Sequence, residues 1–391
     1  MLKKTQFSKE TTLKYPYAKH LITEDDEHAV LRVLKSPSIT RGPAVSNFEA
    51  ALCEHTGARY SICFTNASLA LWACIQAVEA SSKDIAFVPT NTFIATASAA
   101  MNKNCRLSLV DIVAGTGNMD LESFQAQIAE MPKGVRRLIL PVHFTGKTID
   151  MHQLSGMALN WEDVIIEDAA HALGSYYPTG EKVGSCAYSD MTVFSFHACK
   201  NITCGEGGAV MTNDALLAQK LRQIRDSGLA RKEFPTSYDV ELLAVNSHMN
   251  DLQAALGHSQ LKRESQIKEH KTKLLERYKY HLGNKLVSQP DPSTHYHLCI
   301  ALLTDEKGSL SRAKLMQQLL EKGVGTQIHY PALYDLSVIR HYPKWLERHQ
   351  KLEYWPGMQQ YKNHTLSLPL YPSLQVEEVD EICEIIKKIT K

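Results

Sequence analysis

The stretch FSFHACKNITCGEGG, residues 194–208, places one lysine, Lys200, among small and uncharged residues at the end of an apolar run. An amine with few charged neighbours and partial burial solvates its ammonium form poorly. Its pKa falls, and the neutral, nucleophilic form gains population. The plainer reading is a snorkelling surface lysine whose stem covers apolar surface. Gly205, Gly207 and Gly208 close the stretch and allow tight turning and close backbone approach. The surrounding pattern decides between the two readings.

Working outward, short β-rich runs alternate with segments of helical period. YSICFT (60–65), DIAFVPT (84–90), CRLSLVD (105–111), RRLILPV (136–142), VIIED (164–168), MTVFSFH (191–197) and GGAVMT (207–212) read as strands. Between them SLALWACIQAVEA (68–80), FIATASAAM (93–101), LESFQAQIAEM (121–131) and MHQLSGMAL (151–159) read as helices. Near the N-terminus, TEDDEHAVLRVLKS (23–36) reads as a helix with Thr23 as N-cap and Asp26 at the capping-box position. Strands alternating with helices of about ten residues imply βαβ units and a mainly parallel sheet.

From Met249 the texture changes. Residues 250–282 form one long, charge-rich helical pattern, followed by a strand (296–303), a helix (311–323), a strand (325–330) and a closing helix (378–389). The expectation is a large domain over 1–250 and a smaller α+β domain over 251–391 that begins with the long connecting helix.

Bulk numbers exclude several classes. Of 391 residues 44% are hydrophobic, enough for a sizeable core. Lys plus Arg number 43 against 42 Asp plus Glu, so no net charge draws the chain to nucleic acid or an anionic membrane. The nine Cys are odd in number with no CxxC spacing, which signals neither a disulfide framework nor a metal site. No apolar run reaches 18 residues and the N-terminus has no apolar h-region, so a cytoplasmic protein is expected.

In an open parallel sheet, ligands bind outside the carboxyl ends of strands. Three such ends are informative. VIIEDAAH closes a strand with Asp168, which reads either as an N-cap for AAHAL or as a carboxylate needing a cationic or hydrogen-bonding partner. YSICFTNASLAL runs from strand through Asn66, Ala67 and Ser68 into a helix, either a simple cap or an anion cradle of backbone N–H groups and a hydroxyl. The third end is the Lys200 stretch, with Ser195 and His197 before the lysine. Neither GxGxxG nor a Walker A pattern occurs. A phosphate cradle, a strand-end Asp and a desolvated Lys, in that order, match what pyridoxal phosphate requires.

The chain resembles the DegT/DnrJ/StrS family of sugar aminotransferases from about Thr23 to its C-terminus. SITRGPAVSNFEAAL (38–52), EDAAHALGS (167–175), SDMTVFSFHACKNITCGEGGAV (189–210), HMNDLQAALGHSQL (248–261) and TQIHY (326–330) carry the likeness. The resemblance implies a fold-type I pyridoxal phosphate enzyme, with a mainly parallel seven-stranded sheet and a smaller C-terminal domain. By the same resemblance Lys200 is the Schiff-base lysine and the general acid–base of a ping-pong reaction, and Asp168 pairs with the pyridine nitrogen. Ala67, Ser68 and Ser195 would hold the phosphate. Phe93 would stack on the ring and His171 would lie near its 3-hydroxyl. Asn246 would reach the phosphate of a neighbouring subunit, implying a homodimer with shared sites. SPSITRGP, TNAS and GSCAYSDMTVFSFH resemble the branch serving pseudaminic acid biosynthesis. That implies L-glutamate as donor and a UDP-linked 4-keto-6-deoxy-N-acetylhexosamine as acceptor. Arg231, Lys232, Gln327, His329 and Tyr330 are candidates for the acceptor's diphosphate and sugar, against a plain reading as solvated residues.

Some positions depart from the family's wording. Ala198-Cys199 stands for Pro-Thr or Pro-Val, Asn66-Ala67 for Asn-Gly, and Val245 and His248 for the Tyr and Arg around Asn246. Cys199 and Cys204 flank the lysine and read as packing, since spacing implies no acid–base partner. A sugar dehydratase of the family would carry His in place of Lys200. A cysteine desulfurase would need a mobile nucleophilic Cys. A non-catalytic sensor would need none of Lys200, Asp168 and Ser195.

Overall fold

A computed structural model of the chain describes residues 13–131, 134–157, 160, 162–230, 238–304, 310–345 and 352–390. All seven expected strands form: β1 Tyr60–Phe64, β2 Ile85–Pro89, β3 Arg106–Val110, β4 Arg137–Ile139, β5 Val164–Asp168, β6 Met191–Ser195 and β7 Gly208–Thr212. They make one sheet in the order β1-β7-β6-β5-β4-β2-β3. From β6 to β3 every pairing is parallel. β7 alone runs against its neighbours β1 and β6. The reason is the link between β6 and β7, which has no room for a crossover helix and holds the Lys200 turn instead.

Every residue of β2 and of β7 is buried, as in a sheet covered on both faces. Side chains alternate between the two covers. On β2, Val88 packs with Phe64, Leu71 and Val193, while Phe87 packs with Phe48 and Phe124 on the other face. A third core is built by Leu274, Leu315, Leu366 and Ile382, with Tyr15 from the N-terminal segment. Its strands Cys299–Leu302 and Thr365–Leu368 pair antiparallel. Leu333, Trp355 and Tyr361 are buried in the same core as β2 and β5 side chains on one face of the sheet.

Two expectations on elements change. The long helical pattern is two helices, Asp251–Leu261 and Glu264–Leu282, broken at Lys262 and Arg263. Arg263 sits at φ −107° and ψ 5°, and its guanidinium pairs with Asp26 at 2.6 Å. The first helix packs on helices Glu24–Leu34 and Pro43–Thr56, and the second on helix Val376–Thr390. GTQIHY is not a strand: Gln327 makes a single bridge to Ser367, because most of its backbone turns toward the sheet instead of along a neighbour. The capping box holds, with the Thr23 N–H donating to the Asp26 carboxylate at 3.0 Å. Among the described residues no helix is long and apolar enough to cross a membrane.

Candidate active site

The carboxyl ends of β1, β5 and β6 open on one cavity of about 500 Å³, within the usual range for small-ligand sites. Asp168, at the last position of β5, is buried on its wall. The preceding Glu167 points the opposite way, as strand alternation requires. It is fully buried among His143, Tyr177, Ser189 and Thr192. Burial pushes the Glu167 carboxyl up, but hydrogen bonds from His143, Ser189 and Tyr177 outweigh it and lower its pKa. Glu167 is therefore structural and Asp168 faces the cavity.

The N-cap reading of Asp168 fails, since residues 169–174 are turns and not a helix. Asp168 instead accepts the Ala170 N–H at 3.1 Å and the Thr96 hydroxyl at 2.6 Å. Thr92, 2.8 Å from Thr96, extends that hydroxyl pair and borders the cavity. Sequence reasoning missed both threonines. Their signal was the i, i+4 pair in TNTFIAT at a helix start.

Asn66 caps helix Ala67–Ala77, its side-chain oxygen accepting the Leu69 N–H at 2.9 Å while its carbonyl accepts that of Ala70. The N–H groups of Ala67 and Ser68 precede the first intrahelical bond, so a partner outside the helix must satisfy them. Both residues border the cavity with Ser195. The helix end lies against β7: a Cβ built on Gly208 would stand 2.5 Å from the Ala67 nitrogen and 2.6 Å from the Asn66 carbonyl carbon. Those backbone atoms cannot step aside. Gly208→Ala is expected to cost about 1–3 kcal/mol through overpacking. The shift of the denaturant midpoint measures it.

Lys200 follows β6 and borders the same cavity. Burial pushes its ammonium pKa down, and the charges of Cys199 and Asp168 oppose this only in part. The turn is pinned from behind. Asn201 donates its amide to the carbonyls of His171, Leu173 and His295. Its oxygen accepts from the buried amine of Lys271 at 2.9 Å, an amine that burial brings down to about 7.

His171 and Tyr330 complete the wall, with 3.2 Å between Nε2 and the phenol oxygen. The Thr145 N–H points at Nδ1 of His171 at 3.3 Å, so Nε2 carries the hydrogen. Burial, with Lys200 and His329 nearby, holds His171 well below its usual pKa and so neutral. Phe93 borders the cavity with 55% of its surface exposed.

Three candidates stand elsewhere. His329 lies behind Tyr330, bound to the Ser367 hydroxyl at 2.6 Å and lowered to about 3 by burial and Lys200. Gln327 is exposed, and its side chain accepts the Ile328 N–H. Asn246 is exposed outside this cavity, bridged to Asp226. Arg231 and Lys232 lie outside the described residues. Cys204 packs against Gly257, consistent with the sequence reading. Cys199 is half-buried and borders the cavity beside His197.

Residues 20–387 match the model of the DegT/DnrJ/EryC1/StrS aminotransferase family. The chain belongs to this family. This aminotransferase is 30% identical over 384 residues to the UDP-4-amino-4,6-dideoxy-N-acetyl-beta-L-altrosamine transaminase of Campylobacter jejuni, covering 96% of this chain and 98% of the relative. It is similar to PseC of Helicobacter pylori, an aminotransferase of pseudoaminic acid biosynthesis, with 26% identity, TM-score 0.85 and coverage of 96% and 98%. It is also similar to the PLP form of Spr1654 from Streptococcus pneumoniae, with 26% identity, TM-score 0.84 and coverage of 96% and 98%. The aminotransferase has the fold-type I architecture and depends on pyridoxal phosphate. Its cavity suits that group chemically. It offers unbonded N–H groups at a helix N-terminus and two serine hydroxyls for an anion, a buried carboxylate, and an amine of lowered pKa.

Proposed function

We propose that this aminotransferase moves an amino group from L-glutamate to a nucleotide-linked 4-keto-6-deoxy sugar, and that Lys200 and Asp168 carry the chemistry. The observation behind this is that Lys200, Asp168 and the N-terminus of helix Ala67–Ala77 meet on one cavity, although they come from three separate strand ends. Bound pyridoxal phosphate supplies a carbonyl carbon that takes up amines and a ring that withdraws electrons.

The protein's own residues do the rest. The N–H groups of Ala67 and Ser68, with the Ser68 and Ser195 hydroxyls, hold the phosphate in the field of the helix end. The Asp168 carboxylate, aimed by Thr96, keeps the pyridine nitrogen protonated. Phe93 would cover the ring, and His171, fixed as the Nε2–H tautomer, would stand by its hydroxyl. Lys200 would be the amine that holds the cofactor, and its lowered pKa would keep it unprotonated for that role. Its free amine then moves the proton from the donor's alpha carbon, and later returns one to the product.

The acceptor is read as a UDP-linked 4-keto-6-deoxy-N-acetylhexosamine, the sugar class suggested by the relatives' names. Tyr330 stands at the open wall where the sugar would enter, with His329 behind it. Gln327, Arg231 and Lys232 are proposed as outer contacts for the diphosphate. A second copy of the chain would complete the site. Tyr238 and Leu243, in the segment that leads to Asn246, are 76% and 88% exposed, apolar side chains that a partner would cover.

The test is the visible spectrum of the purified protein with added pyridoxal phosphate, before and after L-glutamate. A yellow band that bleaches with glutamate is expected, followed by its return on adding the UDP-ketosugar. A band indifferent to glutamate would overturn the donor. Bleaching without recovery would overturn the acceptor.

A further inference from the structure

Helix Ile94–Met101 buries the hydroxyl of Thr96 among Ala97, Ala99 and Ala100. A hydroxyl in such company costs stability unless it is hydrogen-bonded. Thr96 has two partners. Its oxygen lies 2.6 Å from Oδ2 of Asp168 and 2.8 Å from the hydroxyl oxygen of Thr92. Thr92 is itself buried and borders the cavity.

The carboxylate sets the direction of this chain. It has no hydrogen to give, so Thr96 donates its single hydroxyl hydrogen to Asp168. Between the two threonines Thr96 can then only accept, and Thr92 is the donor. The other carboxylate oxygen, Oδ1, accepts the Ala170 N–H at 3.1 Å. Each oxygen of Asp168 thus has its own fixed donor, one from the helix start and one from the turn after β5. Together they set the plane of the carboxylate.

We propose that Thr96 is a positioning residue for Asp168 and that Thr92 strengthens it, so that two hydroxyls and the carboxylate act as one unit. A hydroxyl that accepts one bond while donating another is the better donor, because each bond polarises the next. Without Thr96 the carboxylate is free to turn at Oδ2, and its charge leaves the line it must hold. The inference rests on the reading of Asp168 as the partner of the pyridine nitrogen. A role in packing alone makes the opposite demand. Val has nearly the shape of Thr and would serve, whereas Ser lacks the methyl group.

The experiment compares Thr96→Val, Thr96→Ser, Thr92→Val, Asp168→Asn and the double variant Asp168→Asn with Thr96→Val. It measures the rate at which L-glutamate bleaches the yellow band and the dissociation constant of pyridoxal phosphate. The denaturation midpoint of each cofactor-free chain reports an intact fold. Thr96→Val is expected to slow bleaching about 10- to 100-fold, the span of one hydrogen bond to a charged acceptor. Its dissociation constant should rise at least about threefold. Thr96→Ser keeps the donor and should stay within about threefold of the native rate. Thr92→Val should slow bleaching about two- to threefold, the share of one polarising neighbour. Added to Asp168→Asn, Thr96→Val should cost less than about threefold more, since the charge it acts through is gone. A Thr96→Val chain as fast as Thr96→Ser, an unchanged dissociation constant, or losses that simply add in the double variant would overturn the proposal. An unchanged Thr92→Val rate would remove Thr92 from the unit. In each of these cases a large Asp168→Asn loss would leave the reading of Asp168 standing, while a mild one would overturn both.

Discussion

Lys200→Ala is expected to lower turnover by at least about 10,000-fold, the upper end of what one positioned acid–base group supplies. The loss should exceed that of a surface lysine because two functions share one amine, attachment of the cofactor and transfer of the proton. The structure supports both. Burial lowers the pKa of Lys200, so its neutral form is available for bonding, and the side chain borders the cavity that holds Asp168. The variant should fold normally, since the turn is held through Asn201 and not through the Lys200 amine. Rate measurements are paired with borohydride reduction in the presence of pyridoxal phosphate. The native chain should gain the cofactor's mass on the peptide containing Lys200, and the variant should not. A variant that keeps near-normal turnover would end the assignment.

The second large effect concerns charge without shape. Asp168→Asn keeps the shape and one acceptor oxygen, enough for the Ala170 N–H at Oδ1, while the amide NH2 in place of Oδ2 can donate to the Thr96 hydroxyl once that hydroxyl turns. What it loses is one negative charge. At about 4 Å and an effective dielectric near 20, a unit pair interacts by about 4 kcal/mol, or about 1,000-fold in rate if the interaction acts in the transition state. The expected result is that loss of turnover, with a denaturation midpoint within about 1 kcal/mol of the native chain. A drop of less than about tenfold would mean that Asp168 serves the loop after β5 and not the pyridine nitrogen. Asp168→Ala separates the terms further, since it also leaves the Thr96 hydroxyl without its acceptor.

The sheet was legible because its strands are covered on both faces and therefore read as unbroken apolar runs, as in VIIED and GAVMT. Lys200 and Ser195 were legible because a polar residue just past such a run must lie at a strand end. Asp168 was ambiguous for a local reason. The residues AAHAL suit a helix, but Asn201 and the hydrogen bond from Thr96 hold the segment as turns around the aspartate. The helix break at Lys262 and Arg263 was hidden too, since a two-residue interruption barely disturbs a charge-rich pattern. The contact of Cys199 with His197 was not legible, because helical geometry does not bring side chains two residues apart together. Here the turn does so. The Thr92–Thr96 pair left a local signal but not its partner Asp168, 72 positions from Thr96, and Lys271 left none, its partner being 70 positions distant.

The bond between Lys271 and Asn201 joins parts that the chain order keeps apart. Lys271 belongs to helix Glu264–Leu282, whose other side packs on helix Val376–Thr390 around the third core. Asn201 belongs to the link between β6 and β7 and ties together three backbone carbonyls there. The Lys200 turn and the C-terminal core are thus mounted on one pin. A helix that slides against the sheet must either shear that pin or carry the Lys200 turn with it. Loosening of the C-terminal core would then register at the Lys200 turn before the sheet itself begins to melt.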